Sequence, residues 1–214
     1  MKNLLIIGAR GFGREVYNLA IQTKEFNNQY IVKGFLDDNS ESLSNFSGYP
    51  NIICSTEDYI VHENDVFVCA LGDVNQKKKY VDMIVNKGGE FINLIHPLSV
   101  ICMNIKIGVG NLIFPFTYIS NDVTIGNFVT IQSHAAIGHD SKLGNYIQIN
   151  SQVFLGGFVQ VEDLVTLHPG SMILPKKKIH SNSIIGLNTG VLKNVDKGSS
   201  VYGNPAKVIF QQNT

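Results

Sequence analysis

Residues 124–149 read TIGNFVTIQSHAAIGHDSKLGNYIQI, and in them Ile125, Ile131, Ile137, Leu143 and Ile149 stand six apart. The spacing continues in both directions. Ile95, Ile101, Ile107, Ile113, Ile119, Leu155, Val161, Leu167, Ile173, Ile179, Ile185 and Val191 complete an unbroken series of 17 aliphatic positions. Chance yields such a run with a probability on the order of 10⁻⁹. Four residues after each aliphatic stands, in most hexads, a small or β-branched residue: Thr117, Val123, Val129, Ala135, Ser141, Val153, Val159, Val165, Ser171, Ser183, Thr189. Glycine often follows the aliphatic directly, as at Gly108, Gly126, Gly138, Gly144, Gly156 and Gly186.

An α-helix cannot generate this period. Six residues turn about 600° around a helix axis, which scatters the aliphatics over every face. A short strand followed by a tight bend does generate it. Three such units close a triangular coil, with the aliphatic inside and the small residue filling the corner. Each coil buries its aliphatics only against its neighbours, so several must stack. The series predicts a parallel β-helix over 95–214, with about five coils. The hexads carry no inserted loop.

Residues 1–94 differ in kind. NLLIIG, IVKGFLDD, DVFVCAL and EFINLI read as strands. FGREVYNLAIQT and NQKKKYVDMIVNKG have helical spacing, the second with Tyr80, Ile84 and Val85 inward and Lys77, Lys78 and Lys79 on a solvated face. Alternating strands and helices predict a small Rossmann-like parallel sheet covered by helices on both faces. The first strand stops at GARGFG, with Gly8, Gly11 and Gly13 opening the first helix. Backbone N–H groups at such a turn suit a phosphate. The spacing departs from the dinucleotide fingerprint. Asp37 and Asp38 close the second strand, where related folds place an acid near a ribose.

Seventeen basic residues balance seventeen acidic ones with no basic block, so neither nucleic acid nor a membrane surface is an expected partner. No apolar run reaches the length of a membrane span. The short apolar N-terminus lacks a cleavage site, which with three scattered cysteines points to a cytoplasmic protein. Cys54, Cys69 and Cys102 read as small hydrophobes, and no cluster has metal-ligand spacing.

IIGARGFGREV, GFLDD, ALGD, LIHPLSV, GHD and the closing GNPAK occur in that order. This ordered set, spanning nearly the whole chain, resembles the sugar O- and N-acyltransferase family. That family includes the sialic-acid O-acetyltransferases and the bacillosamine-pathway N-acetyltransferases. The resemblance implies a left-handed β-helix, acetyl-CoA as co-substrate and homotrimers with active sites between subunits. It also implies a first domain that holds a nucleotide-linked sugar, supplying the acceptor pocket that a loopless solenoid lacks. Gly8, Arg10, Gly11, Phe12, Gly13, Asp37, Asp38 and Gly72 are then the expected substrate contacts. Phe12 departs from the family, which commonly has His there.

His139 and Asp140 are the third and fourth residues of their hexad, near a corner and facing outward. Acetyl transfer from a thioester needs a group that removes a proton from the attacking amine or hydroxyl. Imidazole, with an ordinary pKa of about 6.5, does this near neutrality. A carboxylate on its other nitrogen fixes the tautomer and stabilises the imidazolium. The resemblance assigns these roles to His139 and Asp140. Neighbours in extended chain face opposite ways, so their pairing requires the corner's bend or another position for the acid. A backbone N–H of the neighbouring solenoid is the expected oxyanion donor. The resemblance further places Gln148, Gly157, Gly186, Lys193, Asn204 and Lys207 with the cofactor. Gln148 stands where close relatives often carry a second His, so it can donate a hydrogen bond but cannot titrate. His134 and His180 face outward in this register, as does His168, and His96 falls at the domain junction.

The leading reading is an acetyl-CoA-dependent N-acetyltransferase of a UDP- or dTDP-linked amino sugar, working by direct transfer in surface-glycan synthesis. A sugar hydroxyl acceptor of the sialic-acid type needs the same base. A non-catalytic nucleotide-sugar scaffold is the alternative from another class.

Overall fold

The computed structural model describes residues 1–212 and divides into two compact units, Met1–Pro97 and Leu98–Thr214. The first contains β1 (Lys2–Ile7), α1 (Gly11–Gln22), β2 (Tyr30–Leu36), β3 (Ile52–Cys54), β4 (Asp65–Cys69), α2 (Val74–Asn86) and β5 (Glu90–Phe91). All five strands are parallel, in the order β3-β2-β1-β4-β5. Residues 4–7 and 65–69 are buried throughout, as expected of strands covered on both faces. β3 is an edge strand of only three residues, too short for its own periodicity to announce it.

The two helices pack for different local reasons. Gly13 is buried, and a side chain there would run into the Gly8 carbonyl, so α1 lies tight against the turn leaving β1. At the start of α2 the Asp73 carboxylate accepts the amides of Asn75 and Gln76 at 3.0 and 2.8 Å, an N-cap. The inner face of α2 is Val74, Lys77, Val81 and Ile84. Two expectations are corrected here: Lys77 lies on the inner face, and Val85 is 48% exposed. Burial pushes the Lys77 ammonium down to about 8 and the neighbouring Cys69 thiol up to about 12.

The second unit is a three-faced β-solenoid. Strands of two residues recur every hexad, and each pairs in parallel with the strand one coil away, as in Tyr118↔Ala136 and Ala136↔Phe154. Face I runs from Val100–Ile101 to Gly190–Val191 and has six strands, hence six coils against the expected five. Face II runs from Lys106–Ile107 to Lys178–Ile179. Face III passes through Leu112–Ile113, Thr130–Ile131, Gln148–Ile149, Thr166–Leu167 and Ile184–Ile185. It is closed by Ser199–Tyr202 and by Lys207–Gln211, which pairs antiparallel. Every hexad aliphatic from Ile113 to Val191 is at most 3% exposed, and the small residues beside them are buried too. Ile101, in the first coil, is 38% exposed, since it has a neighbouring coil on one side only.

The bends have a shared conformation. The fourth residue of each hexad from Asn104 to Asn188 is left-handed; where it is not glycine, φ lies between 49 and 63°. Asn and Asp tolerate this region, and other L-residues are disfavoured by about 1 kcal/mol or more each. Phe116, Phe128, Tyr146, Phe158 and Leu164 nonetheless adopt it, so the stack of coils overrides local preference.

Candidate functional site

Two places in the molecule concentrate chemistry, one in each unit.

In the first unit a cavity of about 220 Å³ opens beyond the carboxyl ends of β1, β2 and β4. There the strand order reverses direction, which is where parallel sheets hold ligands. Ile7, Leu36, Ala70 and Leu71 line it with apolar surface, and Gly8, Arg10, Phe12, Asp37 and Asp38 reach it from the turns. Of the expected contacts, Gly11, Gly13 and Gly72 are not in the lining. Gly11 opens α1, whose first-turn amides lack intrahelical partners. The Arg10 guanidinium is exposed and makes no hydrogen bond or ion pair among the described residues. Together they give this end of the cavity a positive character.

Asp37 braces the turn. Its carboxylate accepts the Ala9 amide at 2.8 Å, the Asn39 amide at 2.9 Å and the Ser42 hydroxyl at 3.3 Å. Thr56, Gln76 and Tyr80 also line the cavity and come from segments that no local sequence pattern combines. The Tyr80 hydroxyl donates to Asp38, tying α2 to the end of β2 and pushing the phenol up to about 12. The Lys87 ammonium, at the end of α2, donates to the carbonyls of Thr56 at 3.0 Å, Tyr59 at 3.1 Å and Glu57. It thereby holds the segment that presents Thr56.

In the second unit the chemistry lies at the corner between faces I and II. His139 Nδ1 stands 2.7 Å from Asp140 Oδ2, with the two side chains 55% and 42% exposed. The left-handed φ of Asp140, 58°, resolves how adjacent residues meet: the bend turns both side chains to one side. A carboxylate can only accept, so Nδ1 carries the hydrogen, and in the neutral ring Nε2 holds the lone pair. Nε2 lies over Gly157 of the next coil, where a methyl would stand 2.6 Å from it. The edge of the imidazole meets the Phe158 ring, with centroids 5.2 Å apart and planes at 85°.

The backbone at this corner is open as well. Among the described residues the amides of Asn121, His139 and Gly157 have no acceptor. Beyond Gly157 the same edge carries Phe158, Leu174, Lys176, Leu192 and Lys193, all exposed. Lys193 is three coils from His139, roughly 14 Å at the usual strand spacing.

The other expected cofactor residues are dispersed. Gln148 is 2% exposed on face III, with Nε2 donating to Asn150 at 3.0 Å. Within one chain it does not share a corner with His139. Gly186 lies beneath the Tyr202 ring, which a side chain there would strike. The Asn204 carboxamide lies over Gly190, and Lys207 opens the exposed last strand. His134 stacks on Phe116, His180 Nδ1 is 3.3 Å from Glu162, and His96 Nε2 is 2.7 Å from Gln22. No group of three His, Cys, Asp or Glu among the described residues is arranged to hold a metal, and no helix among them is long and apolar enough to cross a membrane.

Known proteins share the first domain and the overall fold. Residues 3–84 match the PglD N-terminal domain. Across the chain the structure is similar to WeeI from Acinetobacter baumannii AYE, at 26% identity and a TM-score of 0.85, covering 98% of this chain and 100% of that one. The acetyltransferase domain of PglB from Neisseria gonorrhoeae FA1090 superposes with a TM-score of 0.88 at 22% identity, covering 98% and 100%. PerB from Caulobacter crescentus, solved with CoA and GDP-perosamine, gives 0.85 at 22% identity and 97% coverage of both chains. No curated protein matches the chain.

Proposed function

We propose that this protein transfers an acetyl group from acetyl-CoA to the amine of a nucleotide-linked amino sugar. The observation that carries the reading is the His139–Asp140 pair, with Nε2 open above Gly157. Acetyl-CoA supplies a thioester whose carbonyl carbon accepts the nucleophile. His139 Nε2 takes the proton of the attacking amine as its nitrogen bonds to that carbon. The imidazolium formed, stabilised by Asp140, returns the proton to the departing sulfur when the C–S bond breaks. The Gly157 amide, unbonded and beside the ring, is suited to the developing oxyanion. It belongs to the same chain as the base, rather than to a neighbouring solenoid. The exposed strip from Leu174 to Lys193 combines apolar surface with ammonium groups, which fits a pantetheine arm ending in phosphates. Lys207, Asn204, Gly186 and Gln148 are proposed donor contacts, with Gln148 reaching the site only from another copy.

The cavity of the first unit is the proposed acceptor site, with Arg10 and the start of α1 on the diphosphate. UDP and dTDP are the carriers the family resemblance favours, and PerB's GDP-linked ligand makes GDP the necessary comparison. A homotrimer is proposed from face I. Its outward ladder contains Val100, Tyr118, Phe154 and Met172, which are 47–60% exposed, and the His139 corner is its rim. Contiguous apolar surface of this kind is normally covered. The location proposed is the cytoplasm, where acetyl-CoA is available.

The test is release of free thiol from acetyl-CoA with UDP-, dTDP- and GDP-linked amino sugars and with free sialic acid. Release with an amino sugar alone supports the reading. Release only with sialic acid makes the acceptor a hydroxyl, and no release with any acceptor leaves a scaffold.

A further inference from the structure

With a side chain more than half exposed, His139 must have its direction set by the few groups that touch it. Asp140 and Phe158 are the side chains among them, and the Gly157 backbone lies beneath Nε2. Phe158 sits one coil further on, and its amide donates to the His139 carbonyl at 2.8 Å. Its φ of 60° is disfavoured for a bulky residue, and its ring is 47% exposed. The φ is common to this position in every coil, so what distinguishes Phe158 is an exposed ring beside the imidazole.

The other corners show what such residues do when only packing is involved. Phe116 lies face to face with His134, 5.1 Å apart at 16°, and Phe128 with Tyr146, 5.0 Å at 16°. Each of those pairs occupies the same left-handed position on successive coils. Phe158 has no such mate, because its own column carries Asp140 before it and Lys176 after it. Its ring instead meets the imidazole edge-on, at 85°.

We infer that Phe158 is a positioning residue for His139. Asp140 fixes Nδ1, and the Phe158 ring closes the side toward which the imidazole would otherwise swing. Nε2 is then held over Gly157. The inference rests on the reading of His139 as the base.

A double-mutant cycle on the full chain separates the two claims. Phe158→Ala should lower kcat about tenfold, with KM for acetyl-CoA and for the sugar changed less than twofold. In the His139→Ala background the same change should have no further effect, because no imidazole remains to be aimed. Phe158→Tyr should restore at least half of the wild-type kcat. Should Phe158→Ala fold poorly, Phe158→Leu, which fills space without a planar edge, should still show the kcat loss. An equal loss with and without His139 would make Phe158 a merely structural residue and overturn the inference alone. A kcat within twofold of wild type for Phe158→Ala would do the same. Near-normal turnover of His139→Ala would overturn the base and the positioning residue together.

Discussion

Two corners of one prism are built from the same hexad and have opposite finish. At the corner after face II, the third residues of successive hexads are Val109, Asn127, Asn145 and Asp163. Each polar side chain caps the amide one coil back: Asn127 takes Val109 N–H at 2.9 Å, Asn145 takes Asn127 N–H at 2.9 Å, and Asp163 takes Asn145 N–H at 2.7 Å. Glu162 there is engaged by Lys178 at 2.7 Å and by the amide and hydroxyl of Ser181 at 3.1 Å. At the corner after face I the same ladder begins, with Asn121 taking Met103 N–H at 3.1 Å, and then stops. The next positions are His139, Gly157 and Pro175, none of which caps the coil before it. Open donors, an available lone pair and a missing side chain coincide at one corner. The proposed site is thus where a uniform repeat withholds, over three coils, the residues that elsewhere satisfy its backbone.

The contrast can be broken by substitution, and the largest effect should come from filling the gap. Gly157→Ala places a methyl against Nε2 and should lower kcat about 10²-fold, within the range of a general base's contribution, with thermal stability almost unchanged. Steady-state kinetics beside a melting curve checks both. Asp140→Asn keeps a hydrogen-bond partner but removes the charge facing the imidazolium, and kcat should fall about tenfold. Asn145→Ala belongs to the satisfied corner and should do the reverse. It leaves the Asn127 amide uncapped, costs about 1–3 kcal/mol in urea unfolding and leaves acetyl transfer intact.

The smallest effect is electrostatic. Hydrogen bonding to Lys178, with help from Ser181, holds the Glu162 carboxyl down at about 2. The folded value is depressed, so its stabilisation is present above the ordinary carboxylate range and is lost as pH falls toward 2. Unfolding midpoints of wild type and Glu162→Gln should therefore differ slightly at pH 7, keep part of that difference at pH 3 and converge only at about pH 2 and below. Side chains about one-third exposed keep the difference small.

The prism was legible because its cause is periodic: one aliphatic and one small residue per hexad suffice to close a coil. The His–Asp pair was legible as two polar residues at a bend, although their direct contact depends on the left-handed turn at Asp140. Phe158 was not, since nothing in its own hexad distinguishes it from the stacked aromatics at other corners. Lys77 was misread because the residue type outweighed the spacing: Val74, Lys77, Val81 and Ile84 form one stripe, and the lysine lies in it. The wall of the first cavity stayed hidden for another reason. Thr56, Gln76 and Tyr80 meet Asp38 only through the strand order 3-2-1-4-5, which no local pattern encodes.

The central claim is that the open corner carries out the reaction. It is tested most directly by comparing the kcat of His139→Ala with that of wild type on the best nucleotide-linked amino sugar, with folding confirmed by circular dichroism. A fall of about 10² or more in an intact fold is the predicted result. Turnover within a factor of two of wild type would show that the proton leaves by another route and that the unfinished ladder has no catalytic meaning.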